Sequence, residues 1–142
     1  MTLAVQSTVD EYIRRYSDRD VEGVTDLCRW PFVAVGKGEA IYMPDRPAVR
    51  DHFAGAITAY KVMGVVAWTQ VEIDVRQLGE HSVFATVHWN AVGPEGNVLR
   101  DSWTSYQLLA TSAGWRVLSY TNPSEHNCVQ AVRLDRAEAM TS

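Results

Sequence analysis

Between Val66 and Asn122 the chain alternates bulky and polar positions at a period of two, the signature of strands with one covered face. Val83 to Trp89 and Val98 to Tyr106 flank Gly93-Pro94-Glu95-Gly96, and β-branched and aromatic residues fill both runs. Two such runs around a Pro-x-Gly turn predict a β-hairpin. Leu78-Gly79-Glu80-His81 and Thr111-Ser112-Ala113-Gly114 add a turn on either side, so the stretch reads as a four-stranded antiparallel meander. The upstream chain has helical spacing instead. Val5, Val9, Tyr12, Ile13 and Tyr16 form one stripe of a helix over about residues 4 to 17. Asp18 or Asp20 caps a short second helix with Val21, Val24, Leu27 and Cys28 inward, and Trp30-Pro31 stops it. Phe32–Val35 and Glu39–Met43 read as two short strands around Gly36-Lys37-Gly38. Asp45 and Pro47 open a third helix with Val49, Phe53, Ile57 and Tyr60 on its buried stripe and Gly64 as its stop.

Three helices, two short strands and a meander make an α+β domain in which the helices cover one face of about six strands. The domain is expected over residues 1–123, with residues 124–142 as a tail, arm or short helix. At 142 residues and 46% hydrophobic content the chain has enough material for one core. A formal net charge of −4 without a basic run argues against nucleic acid as a partner. No segment approaches the ~20 apolar residues of a membrane helix. The N-terminus has no signal-peptide pattern, and a cytoplasmic location is expected. Two cysteines, Cys28 and Cys128, make no disulfide framework; reduced thiols are the expectation. His52, His81, His88 and His126 lack metal-ligand spacing, and no phosphate loop or nucleophile motif occurs, so no metal and no cofactor are expected.

The order of elements, Tyr12 in the first helix, the Asp45–Phe53 entry to the third and the ending Gly114-Trp115-Arg116-Val117 resemble the SnoaL-like, ketosteroid isomerase-like proteins of the nuclear transport factor 2-like superfamily. The resemblance implies a cone-shaped α+β barrel, a curved, mainly antiparallel sheet over three helices with a central pocket. It also implies a homodimer through the outer sheet face. It does not choose a reaction. Tyr12 matches the tyrosine that donates a hydrogen bond to a developing oxyanion in ketosteroid isomerases. The Phe32–Gly36 stretch, which should bring their proton-shuttling aspartate, has no carboxylate; Glu39 is the nearest.

Strand register decides which side chains reach the pocket. A two-residue turn at Gly79-Glu80 puts Phe84, Thr86 and His88 on the concave side, with Val83, Ala85, Val87 and Trp89 outside, where a dimer would cover them. At the next turn, a two-residue loop sets His88 opposite Asp101, and a three-residue loop with a glycine bulge sets it opposite Ser102. His88 is then the candidate acid or base, against the alternative of a hydrogen-bonded core histidine. Asp101 is its partner or a second acid, or else an edge or rim aspartate paired with Arg100 or another arginine. Tyr12 and Tyr106 are candidate hydrogen-bond donors. Trp30, Tyr42, His52, Phe53, Ile57, Tyr60, Thr86 and Trp103 complete the expected substrate-binding set, which suits a small apolar or aromatic molecule and acid–base chemistry without a cofactor. The rival expectation is a domain that binds a ligand, or dimerises, without catalysis.

Overall fold

The computed structural model describes residues 2–122. Three helices, α1 (Thr2–Ser17), α2 (Val21–Asp26) and α3 (Arg46–Val62), lie among six strands: β1 (Cys28–Gly36), β2 (Glu39–Met43), β3 (Ala67–Gln77), β4 (Ser82–Val92), β5 (Val98–Thr111) and β6 (Gly114–Asn122). The expected α+β class and the four-strand meander are present. Residues 124–142, expected as a tail or arm, lie outside the described residues.

Local chemistry accounts for the helix ends. Asp20 caps α2 by accepting from the Gly23 N–H, and Asp45 caps α3 by accepting from the Ala48 N–H, with Pro47 in the first turn. Gly64, at φ +90°, follows α3 in the left-handed conformation that ends many helices. The second helix is shorter than expected: Leu27 is its C-cap and Cys28 already belongs to β1. The Trp30-Pro31 peptide is cis and lies inside that strand rather than at a helix end.

The sheet order is β2-β1-β6-β5-β4-β3, antiparallel except where β1 runs parallel to β6. β6, the last of the described strands, therefore sits between β1 and β5. The sheet curves over the helices, and among the described residues β2 and β3 are its edges, so it does not close into a barrel. The core lies between the helices and the covered face, where Val5, Val9 and Tyr12 of α1 and Val49, Phe53 and Ile57 of α3 meet Phe32, Val83, Ala85, Val87, Trp89, Tyr106, Leu108 and Val117.

That list reverses the expected faces of β4. Val83, Ala85, Val87 and Trp89 are buried against the helices, and Phe84, Thr86 and His88 are on the outside. The cause is a slip of one residue at the first turn. Gln77 pairs with Val83 and the Leu78 N–H donates to the Ser82 carbonyl, leaving Gly79–His81 as a three-residue connection in place of a two-residue turn. The following loop has the three-residue geometry: the Gly93 N–H donates to the Asn97 carbonyl, and Gly96 takes φ +81°. Val92 then pairs with Val98, but Ala91 pairs with Arg100, so Leu99 is the extra residue of a β-bulge. His88 consequently faces Trp103, neither Asp101 nor Ser102. With the four apolar side chains of β4 inside, they no longer supply a reason for a dimer on the outer face.

A tyrosine-lined cavity as candidate functional site

The bulge at Leu99 determines what β5 presents to the interior. In the register set by the loop alone, Asp101 and Trp103 would share the inner face with Trp89. The bulge moves the alternation by one, and Arg100, Ser102, Thr104 and Tyr106 face inward instead. They close one wall of a cavity of about 80 Å³. α1 adds Tyr12, Ile13 and Tyr16; α3 adds Phe53, Ala56 and Tyr60; β3, β4 and β6 add Trp68, Trp89, Tyr120 and Asn122.

Five of the six tyrosines line this space; the sixth, Tyr42, is 66% exposed on the edge strand β2. The rings pack edge to face, as quadrupoles prefer: Tyr12 against Tyr106 at 5.4 Å between centroids, and Tyr60 against Trp68 at 4.9 Å. At the deep end, the Trp89 Nε1–H donates to Tyr106 Oη at 3.0 Å. Thr104 Oγ1 donates to Asn122 Oδ1 at 2.6 Å. Burial pushes the phenols of Tyr12, Tyr16 and Tyr106 up. For Tyr106 the Trp89, Thr104 and Tyr12 side chains beside its oxygen oppose that effect in part. All three stay protonated at neutral pH and act as hydrogen-bonding phenols, not phenolates.

Where the exposed Arg100 lines it, the cavity meets solvent. The guanidinium lies over the Tyr60 ring, 5.8 Å from its centroid. On the α3 side, His52 Nε2 is 2.5 Å from Tyr120 Oη. Burial lowers the His52 pKa and raises that of Tyr120 to about 12, so the pair is a neutral imidazole against a neutral phenol. His52, Ala56 and Tyr60 recur at every fourth residue of α3, which sets the dyad one turn along from the lining residue Ala56.

The expected site residues divide between the two sides of the sheet. Tyr12, Phe53, Tyr60 and Tyr106 line the cavity, and His52 touches it through Tyr120. Ile57 is buried in the core beside them. His88, Asp101, Thr86 and Trp103 are on the opposite face. There the His88 imidazole stacks on Trp103, with centroids 4.5 Å and planes 8° apart, and its Nε2 is hydrogen-bonded to Asp101. Thr86 is bonded to Ser105 at 3.1 Å. The expected His–Asp pairing thus exists, but as a diagonal contact outside the cone, and Asp101 and Arg100 point to different sides. Trp30 is 38% exposed and, like Tyr42, contributes nothing to the lining. Sequence reading passed over Tyr16, Trp68, Trp89, Arg100, Asn122 and Tyr120. The signal for Tyr16 and Tyr120 was the concentration of tyrosine itself; Arg100 depended on a bulge that no local motif announces. Among the described residues, no three His, Cys, Asp or Glu side chains come together as metal ligands would. None of the described helices is long and apolar enough to cross a membrane.

A strongly curved mixed sheet folded over three helices around a cavity defines the cone fold of the NTF2-like proteins. Residues 4–125 match the family described as NTF2-like protein (DUF6841), and the chain belongs to that family. No curated protein matches the sequence. Among solved structures, an NTF2-like protein with a cystatin-like fold from Novosphingobium aromaticivorans superposes with a TM-score of 0.71 at 17% identity, covering 98% of this chain and 86% of that one. A protein of unknown function from Nostoc punctiforme gives 0.71 at 10% identity, covering 89% and 92%. A proposed dehydratase of the NTF2-like family from Streptomyces avermitilis gives 0.67 at 13%, covering 88% and 96%. At these identities the likeness is one of fold.

Proposed function

We propose that the cavity binds a small, largely apolar or aromatic molecule without a cofactor. The observation that carries this reading is the lining: five tyrosines, two tryptophans and a phenylalanine around open space, with hydroxyl and amide groups at a few points. A volume of about 80 Å³ is below the ~150 Å³ that encloses a benzene ring. A short branched chain or the edge of a single ring therefore enters, and the remainder of the ligand stays at the mouth. The test is a thermal-shift screen of one-ring aromatic and branched apolar molecules. Members that fit raise Tm in proportion to ln(1 + [L]/Kd). Ala56→Phe, which fills the cavity from α3, abolishes the shift. A screen in which nothing raises Tm, or in which Ala56→Phe responds like the wild type, overturns the reading.

The His52–Tyr120 pair favours a second reading, an acid–base enzyme of the isomerase, cyclase, dehydratase or hydrolase kind. A neutral imidazole can take the Tyr120 proton as the phenol oxygen takes one from a bound molecule. The acid–base pair would then be His52 and Tyr120, with Tyr12 or Tyr106 as a hydrogen-bond donor to developing charge. A ligand recovered chemically unchanged after long incubation with the protein sinks this reading. Conversion by the wild type but not by Tyr120→Phe or His52→Gln supports it. For a homodimer through the outer sheet face, the support is the Phe84 ring, 40% exposed on the same face of β4 as His88. Light scattering on the wild type and on Phe84→Glu tests it, and a monomeric wild type excludes it.

A further inference from the structure

We infer that the ligand is an anion, a carboxylate on a one-ring aromatic or branched apolar body, and that Arg100 is the residue that selects it. This rests on the cavity being a ligand site and adds the charge and the anchor. Arg100 is the one charged side chain among the fourteen that line the cavity. Arg14, Arg15, Arg46, Arg50 and Arg76 each have an acidic partner within 4.0 Å. Among the described residues no carboxylate lies that close to Arg100, and none of its N–H groups is hydrogen-bonded to a protein acceptor. Its Cζ lies over the Tyr60 ring, 5.8 Å from the centroid.

Geometry, not composition, puts this cation at the mouth. Arg100 and Asp101 are neighbours in sequence, and without the extra residue Leu99 the strand would turn the aspartate inward. The bulge makes the entrance positive and removes the negative group to the other face, where His88 binds it. A guanidinium edge presents parallel N–H groups that fit a carboxylate in bidentate fashion. The aromatic wall behind it is apolar where the body of such a ligand would lie, and the Ser102 hydroxyl on the same strand adds a neutral donor. A neutral ligand of the same shape would leave the exposed guanidinium to water.

Ligand-observed NMR on the full chain tests this with benzoate and its neutral isostere benzamide. Three proteins are compared: wild type, Arg100→Gln, and Asp101→Asn as a control on the outer face. Benzoate is expected to bind the wild type more tightly than benzamide does and to weaken with added salt. In Arg100→Gln it should lose roughly tenfold in affinity, the size of one charge-assisted contact at a solvent-open site. Benzamide should bind wild type and Arg100→Gln alike, which also reports that the variant is folded, and Asp101→Asn should match the wild type for both probes. Equal binding of the two probes to the wild type, or benzoate affinity unchanged in Arg100→Gln, overturns the inference and leaves the ligand-site reading standing. Binding of neither probe, with no hit in the thermal-shift screen, overturns both.

Discussion

Tyr106 shows how the interior uses polar atoms. Its hydroxyl accepts from the Trp89 indole where both side chains are buried, so the indole N–H has its protein acceptor only while both members are present. Tyr106→Phe leaves that N–H buried without an acceptor. We expect a loss of about 1–3 kcal/mol in urea unfolding with the fold retained. His52 carries a pH signature. Burial lowers its pKa from the ordinary 6.5, so in the interval just below 6.5 the unfolded chain holds a proton that the folded chain refuses. Stability therefore falls as pH drops through that interval. Denaturant midpoints measured from pH 8 to pH 5 should show the decline, and His52→Gln should flatten it. Neither residue's role was open to inspection of the sequence. Tyr106 was a candidate donor because it was a polar aromatic in a strand; that it acts as the acceptor for Trp89 required the true register of β4 and β5.

At the scale of elements, the helices were readable because their signals are local. Asp20 and Asp45 cap, Pro47 sits in a first turn, Gly64 terminates, and the apolar stripes of α1 and α3 recur with the helical period. The strands were readable as strands for the same reason. Their faces were not, because the face depends on counting residues through two connections, and an error of one inverts every side chain. Alternation in β4 offered two candidate inner faces, Val83-Ala85-Val87-Trp89 and Phe84-Thr86-His88, and the more apolar set is the buried one. The same connections give a prediction. Gly96 has φ +81° and no atom within 4 Å of where a Cβ would stand, so the cost of a side chain there is backbone strain alone. Gly96→Ala should destabilise by about 1–2 kcal/mol in equilibrium unfolding, without steric disturbance of its neighbours.

For the whole molecule, the sheet separates two environments. One face closes on helices and a cavity; the other carries the His88–Trp103 stack and the His88–Asp101 contact. His88→Ala is therefore expected to leave ligand affinity in the cavity within about twofold of wild type and to cost under ~1 kcal/mol, the usual scale of a partly exposed polar pair. A larger change in affinity would show that the two faces communicate through β4. The family and the layer order were legible from the sequence because they depend on the sum of many local signals. The wall of the cavity was not, because it is assembled from six separate elements and one bulge.

The position of β6 bears on how the protein is made. A ribosome makes Gly114–Asn122 after every other described strand, yet this segment is the one that joins the β2-β1 pair to the β5-β4-β3 meander. Until it emerges, the nascent polypeptide holds two fragments of sheet with unpaired borders, and the cone cannot be completed before it. Assembly therefore waits for a late segment that slots into the middle of what is already there.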